Sequence, residues 1–160
     1  MEKWEEKVRT KLKTRKPKEI WALFKDFFNL HKYFPNLKNS YGLHGTNGEP
    51  GCIRYCLGGS IKTDGGGDCI AFSKERLLAI DDVNMSLKYE IVECNIGFEG
   101  YESTVRISPN DDDDQGCVVE WGFSVEPFPG MRFDDLVGKY EVGLLKMVMA
   151  MEESLKNEDV

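Results

Sequence analysis

The sequence predicts an α+β domain, in which a curved antiparallel sheet of six or seven strands lies around one long C-terminal helix. Two observations carry this prediction. Between residues 37 and 125, short segments alternate polar and apolar residues and are separated by turn residues, which is typical of strands. After residue 131, apolar residues recur every three or four positions over more than twenty residues, which indicates an amphipathic helix. Strands followed by one long helix favour a sheet with helix packed on one face.

The N-terminal elements are a strand and a broken helical segment. Residues 4–12 alternate as a strand does. Pro17 suits the first turn of a helix, and the apolar segment that follows extends to about Pro35 with a predicted break near Asn29.

The remaining elements follow from alternation, turn composition and helical spacing. Two connections stand out: Gly58–Gly67 holds five glycines and is predicted to be a flexible loop that acts as a lid, and Asp111–Asp114 is predicted to be an exposed hairpin loop. The long helix is predicted from about Met131 to Lys156. The strands are predicted at Leu37–His44, Cys52–Leu57, Glu75–Asp81, Ser86–Glu93, Gly100–Ile107 and Gly116–Val125.

Composition excludes several classes of function. The chain has 160 residues, of which 41% are hydrophobic, with a net charge of −7, so we expect residues 1–160 to form a single domain. The acidic balance argues against nucleic acid, and the densest basic stretch, Lys11–Lys18, is interpreted as a solvated turn. The sequence lacks an apolar run that could span a membrane.

The cysteines and histidines predict neither a disulfide framework nor a metal centre. The five cysteines are odd in number and form no CxxC pair, and the charged N-terminus does not resemble a secretory signal, so we expect reduced thiols and a cytoplasmic location. His31 and His44 lack metal-ligand spacing, and no other pattern indicates a metal or a cofactor. No protein partner can be inferred.

A cavity is expected between the sheet and the long helix, because a helix lying across a curved sheet does not fill its concave side. Alternation places Arg54 on the face opposite Ile53 and places Glu75 on the same face as Leu77, so we expect Arg54 and Glu75 to point into the cavity, close enough to share a ligand. Charged groups there are costly unless they are paired or face a polar ligand. A purely structural ion pair, or one partner in solvent, remains the alternative.

Several stretches resemble the helix-grip superfamily that includes START domains and the birch-pollen allergen, and in particular the plant lachrymatory factor synthases. The resemblance implies a START-like ligand-binding domain of the polyketide cyclase/dehydrase and lipid transport superfamily. The matching stretches are Trp21–Lys32, Gly51–Tyr55, Lys74–Asp81, Asn84–Ser86 and Glu93–Cys94.

The resemblance also implies roles for individual residues. Arg54 and Glu75 match the catalytic arginine and glutamate of the synthases, which isomerise a small sulfenic acid to a sulfine without a cofactor. Such chemistry needs a guanidinium that stabilises an anion and a carboxyl group that moves a proton. The aromatic pocket positions of the synthases are matched by Tyr89, Tyr101 and Trp121.

Two positions depart from the synthase pattern. Ala71 stands where the synthases have a pocket phenylalanine, and Phe98 stands where they have a tyrosine. These changes would enlarge the pocket and remove a hydroxyl donor, which favours a bulkier or different ligand.

Two classes of function remain open. The chain is either a cofactor-free isomerase that uses Arg54 and Glu75, or a non-catalytic carrier of a lipid or another small hydrophobic or amphipathic metabolite. A plant hormone receptor of this superfamily is disfavoured, because its gate and latch motifs are replaced here by Gly58–Lys62 and Glu93–Gly97.

Overall fold

The computed structural model describes residues 2–62, 65–110 and 113–159. Within the described residues, two helices lie between the first and second of seven strands, and a long helix follows the seventh. The strands are β1 (Trp4–Leu12), β2 (Asn39–His44), β3 (Ile53–Lys62), β4 (Asp68–Asp81), β5 (Ser86–Cys94), β6 (Glu102–Asn110) and β7 (Asp113–Val125). The helices are α1 (Pro17–Lys25), a 3-10 helix (Phe27–Lys32) and α2 (Phe133–Glu158).

The seven strands form one curved antiparallel sheet in the order β1-β7-β6-β5-β4-β3-β2. Strands β2 to β6 each pair with the next strand in the chain, whereas β1 pairs with β7 at the edge of the sheet. The predicted α+β architecture is therefore confirmed, including the long C-terminal helix. Bulges in the β3–β4 and β4–β5 pairings interrupt the register next to the site described below.

The N-terminal helical segment breaks as its sequence predicts. Helix α1 begins at Pro17, and the Glu19 carboxylate accepts a hydrogen bond from the Lys16 backbone N–H at 3.0 Å. Asn29 lies inside the 3-10 helix with non-helical dihedrals of φ −109° and ψ 30°. Phe27, two residues before this kink, is buried.

Helix α2 packs its apolar stripe against the concave face of the sheet and β1. Side chains that recur every three or four residues are buried there, as the helical spacing predicts. These residues are Leu136, Tyr140, Leu144, Met147, Val148, Met151 and Leu155.

The glycine-rich segment differs from its predicted loop. Gly58–Lys62 belongs to β3 and pairs with the start of β4, for example Ser60 with Ile70. A bulge between Leu57 and Ser60 accommodates the adjacent glycines, so the backbone keeps its ladder hydrogen bonds instead of forming a lid. Within the rest of this predicted loop, residues 63 and 64 lie outside the described residues, as do residues 111 and 112 of the predicted acidic hairpin.

The basic stretch Lys11–Lys18 is not entirely a solvated turn. Arg15 is buried, and its guanidinium donates hydrogen bonds to Glu19 at 3.1 Å and to Asp159 at 2.9 Å. Arg15 thereby joins the start of α1 to the end of α2, a contact across 144 residues that local sequence cannot reveal.

No helix within the described residues is long and apolar enough to cross a membrane.

Two glycine-to-alanine substitutions are expected to change stability in opposite directions. A Cβ at Gly116 would lie 2.3 Å from the Leu12 carbonyl oxygen, so Gly116→Ala should lower the free energy of unfolding by about 1–3 kcal/mol. A Cβ at Gly138 of α2 meets nothing within 4 Å, so Gly138→Ala should raise the free energy of unfolding by about 0.5–1 kcal/mol. Urea denaturation of both variants measures the difference, and equal effects would contradict the β1–β7 packing.

Candidate functional site

The cavity that most of the predicted site residues line, called the main cavity below, lies between the concave face of the sheet and the first half of α2, and its volume is about 230 Å³. Its walls are mostly apolar and aromatic, with Phe98 and Trp121 on the sheet side and Leu136 and Tyr140 on α2. Several of the lining side chains also carry polar atoms, and Glu75 carries a carboxylate. This combination is typical of a site for a small, largely apolar ligand.

Glu75 and Arg54 form a buried ion pair on neighbouring strands. They are directly paired in the β3–β4 register, so their side chains leave the same face of the sheet. Oxygen Oε1 of Glu75 accepts a hydrogen bond from Nε of Arg54 at 2.8 Å and lies 2.7 Å from Nη2 in the ion pair. Only 4% of Arg54 and 9% of Glu75 are exposed, so each charge depends on the other.

Arg54 lies behind Glu75 and does not line the main cavity, which differs from the expectation that both point into it. Its guanidinium carbon lies 3.8 Å from the ring centroid of Phe27 and 4.8 Å from that of Tyr89, and Nη1 donates to the Phe27 carbonyl at 3.0 Å. Burial is the largest single effect and lowers the pKa of Arg54, but the negative charge of Glu75, the interactions with Cys56 and Tyr89 and the hydrogen bond to Glu75 together outweigh it, so the pKa is raised overall and the guanidinium remains charged.

Two small polar side chains complete the surroundings of the Glu75 carboxylate. Ser73 donates a hydrogen bond to Oε2 at 2.9 Å, and the Cys56 thiol donates to Oε1 at 3.7 Å. Burial, followed by the negative charge of Glu75, raises the pKa of Cys56, so this thiol is a weak donor and not a nucleophile near neutral pH.

The predicted aromatic residues meet on the other side of the cavity. The indole N–H of Trp121 lies 2.8 Å from the Ser103 hydroxyl and 3.3 Å from that of Tyr89. Tyr101 hydrogen-bonds to the hydroxyl of Tyr140 on α2. Burial raises the pKa of all three tyrosines, so their hydroxyls are neutral donors or acceptors.

The two positions that depart from the synthase pattern have different places in the structure. Phe98 lines the cavity and stacks on Tyr101 with ring centroids 5.2 Å apart. Ala71 does not line the cavity but lies near Gly58, where a Cβ would be 3.4 Å from that of Ala71. The smaller side chain at Ala71 therefore does not enlarge this cavity directly.

Several cavity residues were not predicted as site residues from the sequence, among them Ser73, Lys139 and Tyr140. Tyr140 belongs to the apolar stripe of α2, and its periodic position indicates only that it is buried. Ser73 could have been identified, because it lies two residues before Glu75 on the same strand and therefore on the same face.

The site offers proton transfer and hydrogen bonding to a bound molecule. A carboxylate supported by a guanidinium can accept a proton or a hydrogen bond, and the tyrosine hydroxyls can donate. Within residues 2–62, 65–110 and 113–159, no group of three or more His, Cys, Asp or Glu side chains is arranged to hold a metal ion.

Solved structures from bacteria and plants share this fold at low sequence identity. The protein XoxI from Bacillus cereus matches with a TM-score of 0.71 and 15% identity over 98% of both chains. A putative uncharacterized protein from Bacillus thuringiensis matches with a TM-score of 0.68 and 19% identity over 92% of this chain and 98% of that one. The ginseng major latex-like protein 151 from Panax ginseng matches with a TM-score of 0.68 and 16% identity over 94% and 97%.

A family model extends the likeness from fold to sequence. The model described as polyketide cyclase / dehydrase and lipid transport matches residues 7–155, which include every strand except the start of β1 and nearly all of α2. The chain therefore belongs to the polyketide cyclase / dehydrase and lipid transport family.

Proposed function

We propose that this protein binds one small amphipathic molecule in the cavity between the sheet and α2. The observation that carries the proposal is an apolar cavity of about 230 Å³ with a buried carboxylate, Glu75, in its wall. An apolar wall favours the body of a ligand by removing its surface from water, at roughly 25 cal/mol per Å². The carboxylate favours a ligand that presents a hydrogen-bond donor.

The family supports this proposal, because its description includes lipid transport and cyclase activity on polyketides. A ligand in either activity is largely apolar and carries a few oxygen atoms. The fold by itself does not choose between carriage and chemistry, so the choice depends on the residues of the site.

A cofactor-free isomerase is the second candidate, and the ion pair of Arg54 and Glu75 favours it. In this version the Glu75 carboxylate accepts a proton from one atom of the substrate and returns it to another, so the substrate changes its bonding but not its composition. Arg54 acts as a positioning residue, because it contacts Glu75 and lies away from the cavity surface. In the carrier version, the same ion pair only orients a polar ligand group.

Filling the cavity with a larger side chain is expected to weaken ligand binding. Ile91 lines the cavity, so Ile91→Trp should reduce the affinity for the neutral fluorophore 2-methoxynaphthalene at least tenfold. The next residue along β5, Val92, points to the outer face and is 38% exposed, so Val92→Trp is the matched control and should leave the affinity unchanged. Fluorescence titration measures both, and equal affinities in the two variants would overturn the cavity as the binding site.

Replacing the cavity carboxylate separates the carrier from the isomerase. With a sulfenic acid generated in situ as the substrate, Glu75→Gln should lower the turnover rate by a factor of about 10² or more, while 2-methoxynaphthalene still binds. Glu90, which pairs with Arg76 at 3.2 Å on the outer face, provides the control Glu90→Gln, with turnover unchanged. Wild-type turnover at the background rate would rule out isomerase activity on this substrate, and the carrier function would remain as the proposal.

The ion pair is expected to dominate the stability of the site. Arg54→Leu leaves Glu75 buried without its partner and should lower the free energy of unfolding by about 3–5 kcal/mol. The double variant Arg54→Leu/Glu75→Gln carries no buried charge, so it should be more stable than Arg54→Leu alone. A denaturation cycle through both single variants measures the coupling energy, and strictly additive losses would show that the two side chains do not interact.

A further inference from the structure

Lys139 on α2 is the only basic residue among the described residues that line the main cavity. It also lines the two open depressions that adjoin the cavity, so it marks the passage from the cavity to solvent. Its side chain is exposed, and it forms no ion pair with any described residue. Lys139 therefore offers an unpaired positive charge to a ligand group that extends out of the cavity at this end.

Glu75 offers the opposite chemistry in the cavity wall. Its Oε1 already receives a hydrogen bond from Nε of Arg54 and one from the Cys56 thiol and lies in ion-pair contact with Nη2 of Arg54, whereas Oε2 receives one hydrogen bond, from Ser73. Because a carboxylate oxygen accepts two hydrogen bonds readily, Oε2 has room for one more donor. A ligand group next to it is favoured when it carries an O–H or N–H.

The wall between these two ends is lined by flat rings. Phe98 and Tyr101 stack with an angle of 24° between their planes, and the rings of Trp121 and Tyr140 lie edge to face at 4.4 Å. Parallel and perpendicular ring faces of this kind favour a planar ligand body over a flexible chain.

We propose that the ligand is a planar aromatic or conjugated carboxylic acid with a hydroxyl group at its far end. The carboxylate lies at Lys139, the ring lies against Phe98 and Tyr101, and the hydroxyl donates to Oε2 of Glu75. This inference rests on the proposed function and names the ligand class of the same cavity. Asp134 and Asp135 lie near Lys139 in the outer depression, but both are exposed, so water and salt screen their repulsion of an anion.

Three small probes test the two ends of the ligand separately. Calorimetric titration compares 4-hydroxycinnamate, cinnamate, which lacks the hydroxyl, and methyl 4-hydroxycinnamate, which lacks the charge. For the wild type, 4-hydroxycinnamate should bind about five- to tenfold more tightly than its ester and about tenfold more tightly than cinnamate.

Matched variants assign each preference to its residue. Lys139→Met should weaken both acids about five- to tenfold and the ester less than twofold. Lys146→Met is the control, because Lys146 lies two turns along the same side of α2, is exposed and does not line the cavity. Glu75→Gln should reduce the advantage of 4-hydroxycinnamate over cinnamate to less than threefold, and circular dichroism verifies that each variant is folded.

The outcomes distinguish the ligand class from the proposed function. If 2-methoxynaphthalene binds but the acids bind no better than the ester, or if Lys139→Met and Lys146→Met behave alike, the ligand class is overturned and the binding cavity stands. If neither 2-methoxynaphthalene nor any of the three probes binds the wild type, both proposals fail.

Discussion

The ion pair between Arg54 and Glu75 is the interaction on which the site depends. Two opposite charges with less than a tenth of their surface exposed are tolerable only because each satisfies the other and its remaining hydrogen-bonding groups find partners. The Phe27 carbonyl and the rings of Phe27 and Tyr89 complete the surroundings of the guanidinium. The result is a carboxylate in the cavity wall whose Oε1 is held by Arg54 and Cys56 and whose Oε2 accepts a hydrogen bond from Ser73.

The cavity itself follows from the way α2 meets the sheet. A helix of 26 residues crosses a curved sheet, and its buried stripe packs against the sheet along most of its length. Near its N-terminal half the contact is made by large rings, and Tyr140 stacks on Phe123 at 4.4 Å while its hydroxyl bonds to Tyr101. These rings hold the helix away from the central strands and leave a space that the side chains do not fill.

The fold is shared with proteins of low sequence identity, but the chemistry of the cavity is not shared in the same way. Identities of 15–19% with nearly complete coverage mean that the pattern of strands and helix tolerates very different sequences. The chemistry of the cavity is not transferred in the same way, because it depends on single residues such as Glu75 and Lys139. The functional proposals therefore depend on the geometry of this chain and not on the names of its neighbours.

The sequence by itself determined the local structure and the side of the sheet on which each residue lies. Period-two alternation places Arg54 and Glu75 on the concave face, and helical spacing predicts α2, because both depend only on backbone geometry. Only the tertiary structure decided how deep each group lies. Phe27 in the 3-10 helix contacts Arg54, which lies behind Glu75. Asp159, near the other end of the chain, accepts a hydrogen bond from the buried Arg15. The strand formed by Gly58–Lys62 was likewise decided by its pairing with β4, because glycine has little preference of its own and adopts the conformation that its neighbours stabilise.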